Sequence, residues 1–267
     1  MRICYNIFMN KRTSLEIFKS VVLALFLREV QTRFGTKKLG YFWAIFDAML
    51  MVLIFTGLRS AISSNSMPGI EYPVFLATGF LSFFLWKKIV SQSMNAFEAN
   101  KTLFAYKQVK PFDTIITRVI LELLVSSIVT LVFIGIGLYL GIDISVKDFN
   151  MVVLAILWLC FFGFALGLMN AVFAYFYEFY AKIINVIMTP LMFISAIFYT
   201  VDSLPPFARE IIYYNPLAHF MEMIHGYYFY GLTTQYVDYE YMLYWTLIPL
   251  WIGLFFYIRS EKRILSS

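Results

Sequence analysis

Residues 149–177 form a run of 29 residues without a charged side chain. A helix needs about 20 apolar residues to cross the hydrocarbon core of a bilayer, so this run can span one and still tilt. In lipid every backbone amide must be satisfied within the structure, which makes a helix the natural form for such a segment. The rest of the chain agrees. It is 61% hydrophobic and 14% charged, where a soluble domain carries about 25% charged residues. Most of this surface has lipid as its solvent.

Five further apolar runs are candidate spans: 41–58, broken only by Asp47; 72–86, short and expected to continue past Lys87 and Lys88; 119–142; 183–201; and 241–258. The expected fold is an all-α integral membrane protein of six transmembrane helices, in one transmembrane domain over residues 1–267. Residues 1–39 form its cytoplasmic and interfacial segment, and 40–267 the six-span bundle. An even number of spans puts both termini on one side. Sixteen Lys and Arg residues lie on that side against three on the other, Arg59, Lys147 and Arg209, with Lys87 and Lys88 left uncounted. The positive-inside rule therefore places both termini in the cytoplasm. The net charge of +5 is explained by this arrangement, and nucleic acid is not needed as a partner. The first apolar stretch, 21–27, is too short for a signal peptide and no small-residue cleavage site follows it. Cys4 and Cys160 lie far apart and read as unpaired thiols.

Before the first span, Leu23, Phe26, Leu27, Val30 and Phe34 recur at helical spacing, with Arg28, Glu29, Gln31, Thr32 and Arg33 on the other face. That pattern fits an N-terminal amphipathic helix in the membrane interface, or a short soluble helix packed on a partner. Gly35 and Gly40 bracket Lys37 and Lys38, a basic turn leading into the aromatic anchor Tyr41, Phe42, Trp43. The connection between spans five and six is apolar yet broken by Pro205, Pro206 and Pro216, and carries Arg209, Glu210, His219, Glu222 and His225. Proline cannot continue a helix interior, so short re-entrant periplasmic helices are expected there, covered by protein or lining a cavity.

Intramembrane charges are candidates for function because each is costly unless paired or wetted. Arg118 and Glu122 stand four apart and read as a local ion pair. Asp47 has no partner within a turn; it faces either a polar path or a partner on another helix. Lys87 and Lys88 either snorkel or draw an anionic substrate. Gly163 and Gly167, extended by Ala171, permit close helix contact. Tyr41, Phe42, Trp43, Phe46, Phe193, Phe198 and Tyr199 are either lipid-facing bulk or the stacking walls of a path for sugars. His219, Glu222 and His225 stand at i, i+3 and i+6, an order that does not fit a zinc hydrolase. GTKKLG lacks the P-loop pattern, so energy for transport would come from another chain. A membrane-embedded transferase would have only His219, Glu222 and Asp47 to work with, on separate elements.

The segment EANKTLFAYKQVKPFDTIITRVILE, residues 98–122, carries Lys101, Lys107, Lys110 and Arg118 between apolar spans. With PLMFISAIFYTVDSLPP and YNPLAHFMEMIH it closely resembles the permease subunit of bacterial ABC-2-type capsular polysaccharide exporters (KpsM-like), over nearly the whole chain. VKPFDT is the most specific block, while YNPL occurs more widely in ABC-2 permeases. The resemblance implies a homodimer working with two copies of a cytoplasmic ABC ATPase, with ATP and Mg held by that partner and no cofactor on this chain. It implies a coupling helix at 95–106 with Phe97, Glu98, Asn100, Lys101 and Leu103 as contacts. It also implies periplasmic gate helices carrying Pro205, Pro206, Arg209, Asn215, Pro216, His219 and Glu222. The path would be lined from spans one and five by Tyr41, Phe42, Trp43, Phe46, Asp47, Phe193, Phe198 and Tyr199. The cargo would be a lipid-linked acidic polysaccharide whose headgroup meets Arg28, Arg33, Lys37 and Lys38. Periplasmic adaptor and outer-membrane export proteins would complete the route out of the inner membrane. An ABC-2 exporter of another cargo (O-antigen, teichoic acid or a drug) would share the same fold.

Overall fold

Proline opens four of the helices, at α3 (Tyr72–Met94), α5 (Pro111–Tyr139), α8 (Pro206–Tyr213) and α9 (Pro216–Tyr228). It is tolerated in the first turn because the missing N–H would have had no helical acceptor there. The computed structural model describes residues 13–34, 40–62 and 70–266. All regular structure among them is helical. The other elements are α1 (Ser14–Phe34), α2 (Gly40–Ile62), α4 (Ala96–Asn100), α6 (Phe149–Phe176), α7 (Glu178–Phe193) and α10 (Tyr239–Leu265), with 3-10 turns at Lys101–Ala105 and Val201–Ser203.

Four helices, α3, α5, α6 and α10, are long and apolar enough to cross a membrane. In α2 the apolar stretch is the shorter Phe46–Leu58, and α7 has 16 residues. Several boundaries depart from the apolar runs. The second run does continue past Lys87 and Lys88, to Met94. The third starts eight residues before 119, because Pro111 and the Asp113 carboxylate, which accepts from Lys110 N–H at 3.1 Å, begin the helix in polar sequence. The fifth stops at Phe193 rather than running to 201, and the chain turns through Ala196 in the left-handed region (φ 55°).

α6 is the central pillar, packed by α3 on one side and α10 on the other. Glycines make both approaches possible. A Cβ on Gly167 would lie 2.6 Å from Ser93 Cβ of α3, and one on Gly163 would lie 3.1 Å from Ile89 Cγ2. From the far side, Gly253 of α10 comes so close that a Cβ there would meet Met169 N at 2.9 Å. The small-residue pattern therefore serves close packing inside the chain. Phe162 stacks on Phe220 of α9 with centroids 5.1 Å apart, in a core that also holds Phe80, Phe83 and Leu159. Outward faces stay greasy: Leu131 of α5, Val186 of α7 and Trp251 of α10 are each two-thirds or more exposed. Apolar surface of this extent marks contact with membrane or protein.

Candidate functional site

The corner between α3 and α5 is built outward from two sealed side chains. Phe97 is 1% exposed and sits between Tyr175 and Tyr257, with centroids 6.3 and 6.2 Å away. Asn100 is buried too; its amide donates to Ala96 O at 2.9 Å and its oxygen accepts from Arg28 Nη1 at 2.8 Å. Glu98 and Lys101 project into the open, and Leu103 is half-buried. Leu103 lines a groove of about 550 Å³ with Val21, Ala24, Leu25 and Arg28 of α1. Of the five residues expected to contact an ATPase, the fold thus offers Glu98 and Lys101 fully and Leu103 in part. Phe97 and Asn100 face inward and hold the segment in place.

Arg118 and Glu122 do not form the local pair expected from their spacing. Each reaches instead to α1, which packs along α5. Arg118 donates to Glu29 at 3.2 Å and to the Gln92 backbone oxygen at 2.6 Å. Glu122 accepts a short, charge-assisted hydrogen bond from Arg33, whose other nitrogen donates to the Gln92 side chain at 2.9 Å. Arg28 and Arg33, expected at a lipid headgroup, are thus already engaged by protein groups, and Glu29 and Gln92 join them unanticipated. The signal for this was present: Glu29 and Arg33, then Arg118 and Glu122, are two i, i+4 pairs of opposite order. α1 therefore turns charge toward the protein, while Leu23 and Leu27 are more than half exposed. Lys37 and Lys38 lie outside the described residues.

The segment after α7 is stitched by the polar residues of the expected gate. Asn215 caps α9 by accepting from Leu217 N–H at 3.0 Å, and its amide donates to Ile194 O at 2.8 Å and Ser195 Oγ at 3.1 Å. That satisfies a carbonyl left free where α7 ends. Pro205 precedes α8, Pro206 opens it and Pro216 opens α9. Arg209 donates to Tyr236 Oη at 2.8 Å and Asp202 O at 2.9 Å, and Tyr236 donates to Asp202 Oδ1 at 2.8 Å. His219 uses both ring nitrogens. Nδ1 accepts from Asp238 N–H at 3.2 Å, so Nε2 carries the hydrogen that it gives to Tyr213 O at 2.8 Å. Glu222 accepts from Val201 N–H at 3.3 Å. Burial pushes its carboxyl up to about 7, against the opposing pull of that hydrogen bond. His225, fully buried with its ring 4.0 Å from that of Phe75, is held neutral by the same effect, its pKa lowered to about 3. Among the described residues no three His, Cys, Asp or Glu side chains converge as metal ligands.

Of the aromatic residues expected along a path, Phe193, Phe198 and Tyr199 cluster where α7 ends. Phe198 stacks on Phe193 at 5.5 Å and lies 4.4 Å from Phe55 of α2, while Tyr199 donates to Phe193 O at 3.0 Å. Phe46 and Asp47 are exposed on α2. Asp47 and Glu122 both act electrostatically on Lys88 of α3. The side chains of Tyr41, Phe42 and Trp43 lie outside the described residues, though the backbone there is helical.

Residues 20–229 match the family described as ABC-2 type transporter. The polysialic acid transport protein KpsM of Escherichia coli is 36% identical over 256 residues, covering 96% of this chain and 99% of that protein. The capsule polysaccharide export inner-membrane proteins BexB of Haemophilus influenzae and CtrC of Neisseria meningitidis serogroup A are also similar. They are 29% and 28% identical, covering 81% and 94% of this chain and 82% and 95% of their own lengths.

Proposed function

Because the chain belongs to the ABC-2 type transporter family, we propose that it acts as a paired, six-span permease driven by two copies of a separate cytoplasmic ATPase that binds the ATP and magnesium. Its role is that of the inner-membrane permease subunit in capsular polysaccharide export. The observation that carries this is end-to-end similarity to permeases named for that task, 96% of this chain against 99% of one relative. The four long apolar helices supply four of the spans. α2 and α7 supply the other two, which returns both termini to the cytoplasm.

In this reading ATPase closure presses on Glu98, Lys101 and the exposed edge of Leu103, and the sealed side chains of Phe97 and Asn100 keep that push from being absorbed locally. A change of state requires contacts that differ between the two states, and an exposed, charge-bearing corner supplies them. α8 and α9 fold into the outer leaflet and gate the periplasmic mouth. The path runs between two copies past Phe46, Asp47, Phe193, Phe198 and Tyr199, with Tyr41, Phe42 and Trp43 at its cytoplasmic end. The cargo is a lipid-linked acidic polysaccharide, met by Lys37 and Lys38 and handed on to periplasmic adaptor and outer-membrane proteins.

Complementation tests this. Expressed with its ATPase in a capsulated host lacking its own permease, the chain restores polymer at the surface, and the ATPase co-purifies with it. A chain that reaches the membrane with its ATPase while the polymer stays inside defeats the reading.

A further inference from the structure

α1 and α5 are joined by charges that the export reading leaves without a task. Glu29 and Arg33 lie one turn apart on α1, Arg118 and Glu122 one turn apart on α5, and they pair across the gap in the same order: Glu29 with Arg118, Arg33 with Glu122. Glu29 and Arg33 also face each other at 3.6 Å. The four charges sum to zero, so the group balances without a bound anion. Both arginines in addition hold Gln92, one by its backbone oxygen and one by its side chain. Gln92 stands three residues before Asn95, the residue at which α3 ends and α4 begins. Arg28 reaches the far end of α4 through Asn100. One face of α1 thus holds the end of α3, the end of α4 and the second and third turns of α5.

We propose that this ionic clamp, centred on Arg118, is the positioning device that carries a push on α4 into α1 and α5, and so ties ATP turnover to export. The proposal rests on the export reading and adds residues that neither touch cargo nor meet the ATPase. Its physical basis is the cost of the arrangement. Arg118 is 6% and Glu122 3% exposed, while the side chains of their partners Glu29 and Arg33 are 13% and 23% exposed; withdrawing charge from water to this degree consumes much of what the attraction returns. Well-packed apolar side chains would hold the helices together as firmly, but without the directional bonds that set which residues face each other. A guanidinium bonded to two acceptors on two different helices fixes distance and direction together. Lys88 lines a small pocket with Ala48 of α2 and Val125 of α5, and extends the charged layer toward α2. The clamp lies behind the corner, where a rigid joint carries motion and a loose one dissipates it.

The test compares export with ATP hydrolysis in the full chain assembled with its ATPase. Arg118→Met is expected to leave membrane abundance, bound ATPase and ATP hydrolysis near the unaltered level while surface polymer falls about tenfold or more, the scale of a lost coupling between sites. Reversing one pair, Glu29→Arg with Arg118→Glu, is expected to return export that neither single change supports. Should Arg118→Met fail to accumulate, Glu29→Leu with Arg118→Met removes both charges of that pair and leaves none of its own unpaired. An abundant double variant that hydrolyses ATP without exporting supports the clamp. Undiminished export in an abundant Arg118→Met variant, alone or with Glu29→Leu, or export and hydrolysis falling in step, overturns it. Failure of the export reading shows in the unaltered chain, whereas failure of the clamp shows only in the variants.

Discussion

Glu222 carries an acid-base signature that can be read in solution. Its carboxyl, held at about 7 against an ordinary 4.5, keeps a proton in the folded state that the unfolded chain releases. Between those two values the folded protein binds more protons, so stability falls as pH rises through that window and levels off above it. His225, neutral in the fold with its pKa at about 3, adds stability as pH rises toward its ordinary 6.5 and opposes this, so Glu222→Gln should raise the melting temperature at pH 8 relative to pH 5 by a wider margin than the unaltered protein shows. An unchanged slope in the variant would assign the pH dependence to other groups. Asn215 makes a second prediction. Asn215→Ala removes the α9 cap and leaves Ile194 O without its donor, a loss of about 1–3 kcal/mol in thermal unfolding; Asn215→Asp keeps the cap and should recover part of it. The role of Asn215 was legible in YNPL only as membership of a gate, since its partners at 194 and 195 lie some twenty residues back. The Arg118 and Glu122 pairing misled for a related reason. Spacing along one helix reveals which residues share a face, and says nothing of what another helix brings to that face.

Among the helices, the glycine seam gives the sharpest test. Gly167→Leu forces side-chain atoms into the space of Ser93 and should cost about 1–3 kcal/mol through overpacking. The same change at Gly135 of α5, where an added Cβ would meet nothing within 4 Å, should be far milder in a melting comparison. The central elements were well announced by sequence, because a long uncharged run leaves a chain few choices: the fourth run became α6 almost to the residue. Ends were less legible. α5 starts in polar sequence, since capping by Pro111 and Asp113 weighs locally against hydropathy averaged over a window. α7 stops early where Ile197 folds against Gly79, placing its Cγ2 3.0 Å from where a Cβ would stand. That contact joins residues more than a hundred positions apart, beyond any local pattern. α1 was expected to offer its charges as one polar face, yet Glu29 and Arg33 turn inward because their counter-charges wait on α5.

At the scale of the whole molecule, the corner at α4 should separate assembly from work. Glu98→Ala with Lys101→Ala removes exposed side chains and leaves the anchors Phe97 and Asn100 untouched. Membrane abundance should hold while surface polymer is lost, as measured by fractionation beside capsule staining. Phe97→Ala should instead lower abundance, because truncating a sealed aromatic costs about 3–5 kcal/mol. Equal loss of abundance in both would mean that the corner serves folding alone. The close-fitting glycines of α6, Gly163 and Gly167, are covered by α3 of their own polypeptide. In the proposed pair, the two copies therefore do not knit together through that notch. The seam of the proposed pair would then be made of bulky exposed side chains such as Leu131 and Trp251, which keep helix axes about 8–10 Å apart and interlock shallowly. A shallow oily joint can part without breaking buried polar bonds, and acyl tails can flow into the gap as it widens. Such a wall would suit the proposed doorway between copies, which must admit a long chain sideways and close again behind it.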